Sequence, residues 1–427
     1  MIKITKISAK NFKSFKELNI DFSKFTVIVG ANASGKSNFV RALKFKKDIM
    51  LFGVEDAISL QGGIKYLKNL QTDSDATLSL SFNIEVDEPW IRSLRFLKTN
   101  NETNPNATIK EIYYTFEIKP AKKGQGYSII SDNLKIRYNI VSIPSKEQKD
   151  DVLLDSIELH FYKEKSRYKY KCQLKDDSKY KDKTTEIAQS LGADFFCVYM
   201  HDFSKELMLN RLSMLMPPYF IEESLINIFD FDPKKLKRAC SITALTHLEE
   251  DGGNLASVIQ RVLRSKESRH RFSLLLKDLL PSIKNVAIKK SIDQSISYQV
   301  IENYSNNEIY SNFLSDGTVS IIAFIVALYF ENQAKVLIFE EPERNIHPKL
   351  LRKLITIAKD VTETKQVIFT THNAEILRNV DLEDVRLISR DSAGYSCISK
   401  PCENESVITF MDNEIGIEEL FLNDWLG

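Results

Sequence analysis

Residues Gly30-Ala31-Asn32-Ala33-Ser34-Gly35-Lys36-Ser37 fit the pattern G-x-x-x-x-G-K-[ST], and their setting constrains the fold more than any other feature of the chain. Phe25-Thr26-Val27-Ile28-Val29, just before them, is a compact β-branched run that predicts a buried strand. From Ser37 onward Phe39, Ala42 and Leu43 recur at helical spacing, so the period changes from 2 to 3.6 across the glycines. A strand that turns through glycines into a helix gathers backbone N–H groups and the positive end of a helix dipole around one point. That arrangement is a cradle for phosphates. Lys36 is expected to reach the β and γ phosphates of a nucleotide, and Ser37 to offer its hydroxyl to Mg²⁺. A chance glycine-rich turn is the plainer reading, and the strand-turn-helix setting disfavours it.

At 427 residues the chain has material for two or three domains, or for one domain with large insertions. Hydrophobic residues at 43% and charged ones at 27% exclude a disordered or collagenous chain. Lys and Arg number 59 against 58 Asp and Glu, and a net charge of +1 does not mark a dedicated nucleic-acid coat. The longest apolar run, residues 321–330, is about half of the ~20 residues that cross a bilayer, so no membrane span is expected. Met1-Ile2-Lys3-Ile4-Thr5-Lys6-Ile7 alternates like a strand rather than a signal peptide, and the expected location is cytoplasmic. Cys172, Cys197, Cys240, Cys397 and Cys402 show no paired spacing and are expected to be reduced thiols.

Leu18, Ile20 and Phe22 alternate behind the first strand, so a hairpin leads into the buried strand. Leu78, Leu80, Phe82, Ile84 and Val86 alternate, as do Ile112, Tyr114, Phe116 and Ile118, with Gly124-Gln125-Gly126 as a turn signal. Residues 76–183 therefore read as an antiparallel β-rich subdomain. Residues 184–281 read as a helical insertion, in which Pro217, Pro218 and Pro233 forbid a long heptad array. Strands and helices then alternate over 282–427: strands near 286–288 and 296–300, an apolar helix over 319–331, a strand over 335–339, a helix near 348–360 and a strand over 366–370. Residues 1–75 and 282–427 are expected to be two parts of one α/β head.

Val336-Leu337-Ile338-Phe339 predicts a second buried strand, ending on Glu340 and Glu341. Acids delivered at the C-terminal end of a strand are the usual means of holding a metal beside a phosphate site. Glu340 is expected to orient Mg²⁺, directly or through water, and Glu341 to accept a proton from, or orient, an attacking water; an acidic helix entry is the bland alternative. Leu314-Ser315-Asp316-Gly317-Thr318 precedes the apolar helix, and Ser315, Gly317 and the helix N-terminus make a second anion-binding device. One nucleotide has no need of two cradles from one subunit. The second is therefore expected to act on a neighbouring molecule's γ-phosphate, with a simple capping turn as the alternative. Thr370-Thr371-His372-Asn373 follows a strand and puts His372 at the sheet edge with Glu341, where an imidazole can bond the γ-phosphate.

In this order the phosphate loop, the Ser-x-Gly signature, the acidic strand and the histidine resemble the ATP-binding-cassette-type ATPases of the RecF, Rad50, SMC and OLD branch. Asn11-Phe12-Lys13-Ser14-Phe15 is similar to the entry strand and turn of that branch, and the loop extended to Asn38 is similar to its phosphate loop. Glu340-Glu341-Pro342-Glu343 with His347-Pro348 resembles the compact RecF-like, OLD-like ATPases, and Asp251-Gly252-Gly253-Asn254-Leu255 resembles a turn in their helical insertion. The resemblance implies an α/β P-loop ATPase head with an antiparallel β-subdomain and a helical insertion. It also implies ATP and Mg²⁺ as ligands, and ATP sandwiched between two heads of a dimer or higher oligomer. His347 stands where transporter cassettes carry an aspartate and is not given that role. Gln61 and Gln71 are the candidates for a glutamine that watches the metal.

About 55 residues follow His372, too few for the Toprim nuclease domain of OLD proteins, so a nuclease effector is expected on another polypeptide. The leading expectation is an ATP-driven switch whose head association controls such an effector in anti-phage defence, as the resemblance to Septu and PARIS systems implies. The alternatives are a RecF-like DNA-maintenance ATPase and a slowly hydrolysing, nucleotide-locked scaffold; the complete motifs disfavour the scaffold. DNA contact is left open at two basic clusters, residues 163–183 and the group Arg261, Arg264, Lys266, Arg269 and Arg271. In the first, strand parity turns Tyr168, Tyr170, Cys172 and Leu174 to one face and Arg167, Lys169 and Lys171 to the other. The aromatics then read as core and the cations as a solvated face.

Overall fold

The computed structural model describes residues 1–73, 76–87, 91–93, 105–121, 126–142, 152–165, 167–202, 206–214, 225–241, 247–292, 294–305, 307–331 and 333–426. Gly124 and Gln125 of the expected turn, and the Pro217-Pro218 pair, lie outside the described residues. The chain divides into two compact units, one of residues 1–22, 41–223 and 390–397, the other of residues 23–40, 224–389 and 398–427.

The first unit is built on an eight-stranded sheet in the order Phe15–Asp21, Ile2–Phe12, Leu78–Val86, Asn106–Pro120, Tyr127–Val141, Leu153–Glu164, Arg167–Leu174, with Ile91–Ser93 paired onto Asn106–Pro120. Its pairings are antiparallel. Alternation decides its faces: Leu80, Phe82, Tyr114, Phe116, Leu134, Ile136, Leu159 and Phe161 are buried on one side. Phe45 of the helix Lys36–Phe52 covers that side, packing against Phe12 and Phe116 with ring centroids 6.2 and 6.4 Å apart. Phe196 of the helix Ala193–Asp202 meets Phe161 edge-on at 5.2 Å. As parity predicts, Tyr168 is buried and Tyr170 half-buried, while Arg167, Lys169 and Lys171 are exposed.

The second unit is built on a six-stranded sheet in the order Ile226–Phe229, Val336–Glu340, Gln366–Thr371, Phe25–Val29, Val385–Arg390, Ser396–Ser399, of which the first five run parallel. Parallel strands are covered on both faces, and Phe25–Val29 and Gln366–Thr371 are accordingly buried at every residue. The apolar helix Asp316–Phe330 supplies much of the cover: Phe324 packs on Phe339 at 4.8 Å, Phe339 on Phe369 at 5.6 Å, and Phe369 on Phe25 at 5.3 Å. Cys240–Ser241, Ser295–Glu302, Ile283–Lys290 and Glu308–Tyr310 form a smaller antiparallel sheet. Among the described residues no helix is long and apolar enough to cross a membrane.

Two features differ from the sequence reading. The hairpin Ile2–Phe12 and Phe15–Asp21 extends the antiparallel sheet, because Ile2–Phe12 pairs along Leu78–Val86. Residues 184–281 are not wholly helical: Ile226–Phe229 is a buried strand in parallel register with Val336–Glu340, Phe229 beside Phe339.

Candidate functional site

The parallel strands of the second unit end at a common sheet edge, and their register decides what meets there: Val29 lies beside Thr371, and Thr370 beside Glu340. Residues 30–37 leave Phe25–Val29 between Gln366–Thr371 and Val385–Arg390, at a switch point of the strand order, where such sheets bind ligands. Gly30 N donates to Thr371 O at 3.3 Å. A Cβ on Gly30 would lie 2.3 Å from Ile388 O, so no larger residue fits at the first loop position. Left-handed backbone at Ala33 (φ 61°) and positive φ at Gly35 (126°) curl the loop in the manner of an anion-binding nest. Lys36 is 7% exposed, and its Nζ donates to Gly30 O (2.8 Å) and Ala31 O (2.9 Å). Burial lowers its pKa, an effect opposed by the charges of Glu341, Glu343 and Glu340.

Glu341 follows the acidic strand with left-handed backbone (φ 46°), an uncommon state for a residue with a Cβ. Its N–H donates to Thr370 O at 2.8 Å. Both carboxylate oxygens are engaged: Oε1 accepts from His372 Nδ1 at 2.7 Å and Oε2 from Arg344 Nη2 at 2.9 Å. Burial pushes the Glu341 pKa up, but hydrogen bonds from Arg344 and His372 outweigh it and leave the group below its usual value. Arg344 Nη1 reaches on to Asp230 Oδ1 at 3.2 Å, just beyond the strand Ile226–Phe229. Asp230 N donates to Glu250 O and Asp232 N to Asp251 O, so the 251–255 turn braces the exit of that strand. Glu343 is 6% exposed; its Oε1 accepts from Thr371 Oγ1 at 2.5 Å, and burial raises its pKa.

The edge of the second unit thus brings together residues 30–37, Glu340, Glu341 and His372. Ser315 and Gly317 belong to the same unit, and each has a local task. Ser315 Oγ caps the helix Asp316–Phe330 by accepting from Thr318 N at 3.2 Å, and a Cβ on Gly317 would lie 2.5 Å from Asn345 O. His347 Nδ1 caps the helix Pro348–Val361, accepting from Lys349 N at 3.2 Å. Gln61 and Gln71 belong to the first unit. In the second basic cluster Arg261 pairs with Glu331 (3.2 Å), Arg269 bonds Leu263 O (3.0 Å) and Arg271 lies over the Tyr329 ring (4.9 Å), so these three cations serve their own unit. Asp230, Arg344, Glu343 and Thr371 take part here without a role expected from sequence. Glu343 and Thr371 lie inside the acidic and histidine motifs, whereas Asp230 depends on the strand Ile226–Phe229 within a stretch whose pattern predicts helix.

Among the described residues no group of three or more His, Cys, Asp or Glu side chains makes a metal site by itself. The Ser37 hydroxyl and the Glu340 carboxylate are hard oxygen donors, a set that suits Mg²⁺ once phosphate oxygens and water complete it. The residues fit the ion together with a nucleotide rather than alone.

A parallel sheet whose strand runs into this loop, with acids and a histidine ending the neighbouring strands, defines a P-loop ATPase head of ATP-binding-cassette type. A family model described as "AAA domain, putative AbiEii toxin, Type IV TA system" matches residues 25–378, and the chain belongs to that family. Endonuclease GajA of Bacillus cereus (strain VD045) is 24% identical over 395 residues, 91% of this chain and 58% of GajA. The chromosome partition protein Smc of Methanocaldococcus jannaschii is 37% identical over 123 residues, 26% of this chain and 10% of Smc. The chain therefore spans less than two thirds of either relative. A crystal structure of an Smc head bound to the C-winged helix domain of ScpA shares the fold, with TM-score 0.51 and 15% identity over 93% of this chain and 97% of that one. The family match and the shared fold support an SMC/Rad50-like ATPase head related to OLD-type proteins.

Proposed function

We propose that the chain is an ATP-driven switch: two heads associate around ATP and hydrolyse it, and the associated state controls a separate nuclease in defence against phage. The observation that carries this reading is the convergence of Lys36, Glu341 and His372 on the edge that carries the phosphate loop. Similarity to an endonuclease, GajA, over 91% of the chain supports the link to an effector. In this reading residues 30–35 and Asn38 wrap the phosphates, and Lys36 exchanges the carbonyls of Gly30 and Ala31 for β and γ oxygens. Ser37 and Glu340 hold Mg²⁺, which supplies charge neutralisation on the phosphates when bound. Glu341 accepts the proton of the attacking water, and His372 bonds the γ-phosphate. Ser315 and Gly317 face the nucleotide of the other head.

The test compares Lys36→Ala with Glu341→Gln. The first loses ATP binding; the second keeps it and, with ATP, accumulates as an associated species by light scattering. Equal loss of binding in both removes this division of roles. A nuclease gene beside this one, with a product whose activity follows the ATP state of the head, supports effector control.

A second reading, a DNA-maintenance ATPase, is favoured by the similarity to Smc and by the exposed face of the first unit's sheet, where Lys171 Nζ lies 5.4 Å from the Tyr162 ring beside exposed Lys169. ATP hydrolysis stimulated by DNA, with a steep dependence on salt, decides for it.

A further inference from the structure

Glu341 is the carboxylate to which the proposed hydrolysis assigns the attacking water, yet both of its oxygens are occupied, by His372 and Arg344. The Arg344 guanidinium is divided between two acids, with Nη2 on Glu341 at 2.9 Å and Nη1 on Asp230 at 3.2 Å. An arginine on a carboxylate occupies one of its oxygens, and while that bond stands a water cannot hand its proton to that oxygen. The Arg344 side chain is 48% exposed, and ion pairs this open are weak enough to break and remake.

The backbone around Arg344 is also held away from its preferred state. Glu341 (φ 46°) and Asn345 (φ 66°) are both left-handed without being glycine. Asn345 O lies so close to Gly317 that a Cβ there would sit 2.5 Å from it. The segment carrying Arg344 therefore rests against the N-terminus of the helix Asp316–Phe330, close enough that the two cannot move independently without opening that contact.

We propose that Arg344 is a positioning residue that restrains Glu341 in the single head, and that Asp230 is the acceptor that draws it away when residues 341–345 shift. The inference rests on the reading of Glu341 as the group that takes the water's proton. Other charged or titratable groups that interact with Glu341 include His372, Lys36, Asp230 and Glu343. Of these, Asp230 shares the Arg344 guanidinium with Glu341.

The test is steady-state ATP hydrolysis by the full chain carrying Arg344→Ala, Arg344→Lys, Asp230→Asn or Glu341→Gln. Arg344→Ala is expected to raise kcat about two- to fivefold with KM unchanged. Arg344→Lys should bring back the slower rate. Asp230→Asn, which removes the charge that competes for Arg344, should lower kcat. A fall in kcat for Arg344→Ala as well as Asp230→Asn, with Glu341→Gln inactive, overturns the restraint and leaves the role of Glu341 intact. Full activity in Glu341→Gln overturns that role, and the restraint with it.

Discussion

Thr371 donates its hydroxyl proton to Glu343 at 2.5 Å, so the residue before His372 is tied to a carboxyl two positions beyond Glu341. Thr371 Oγ1 in turn accepts from Asn373 N at 2.9 Å. The exposed Glu341–His372 pair is therefore backed by a buried one, and Glu343 anchors the turn on which His372 is carried.

Removing that anchor should cost stability. Glu343→Ala leaves a buried hydroxyl without its acceptor and is expected to destabilise by about 1–3 kcal/mol in denaturant unfolding. Glu343→Gln keeps an acceptor in place and removes a charge that burial disfavours, so it should be close to neutral. An alanine variant as stable as the parent would show that the turn is held elsewhere.

Gly317 is expected to tolerate no side chain. A Cβ there would meet Asn345 O at 2.5 Å, and backbone cannot move aside as the end of a flexible side chain can. Gly317→Ala should cost about 1–3 kcal/mol and slow hydrolysis. Nucleotide affinity of the single head, measured by calorimetric titration, should stay the same, because residues 30–38 are untouched. Weakened nucleotide binding would place the signature in the site of its own subunit.

Asp132 makes the first unit's stability depend on pH. It is fully buried and accepts from Tyr114 Oη (2.7 Å), Tyr168 Oη (2.9 Å) and Met208 N (2.8 Å). Burial nevertheless pushes its pKa to about 6, from 3.8 for a free side chain. A carboxyl with a raised folded-state pKa holds its proton more tightly when folded. Its contribution is thus favourable below about pH 4 and is lost as pH rises through about 6, by up to roughly 3 kcal/mol. Urea midpoints between pH 4 and 7 should fall less steeply in Asp132→Asn than in the parent. An unchanged slope would assign the titration to another group.

These sites differ in how legible they are in the sequence. Lys36, Glu340, Glu341 and His372 each sit within a residue or a short turn of a strand that announces itself by composition, so their arrival at one edge follows from a parallel sheet. Asp230 follows a strand of four residues buried at every position, and such a run carries no period to distinguish it from helix. The bond between Arg344 and Asp230 spans 114 residues and depends on two strands becoming neighbours, which no local pattern encodes. The N-terminal hairpin is legible as strands, but its place along Leu78–Val86 is not, because alternation specifies a buried face without naming the strand beside it.

Ser315 has two readings that substitution can separate. As an N-cap its hydroxyl accepts from Thr318 N, and Ser315→Arg loses the cap and puts a cation at the positive end of a helix, at a cost of about 1 kcal/mol. Ser315→Asp keeps a good cap and adds a negative charge. If capping is the whole role, Ser315→Asp should be as stable and as active as the parent. If Ser315 faces the phosphate held by the other head, both variants should stop hydrolysis while the single head still binds ATP. Mixing Ser315→Arg with Lys36→Ala protein then regenerates, in each mixed dimer, one site with an intact loop and an intact signature. About a quarter of all sites are intact at equal amounts, so activity should return to about that fraction. A mixture as inactive as its components would mean that loop and signature act within one subunit.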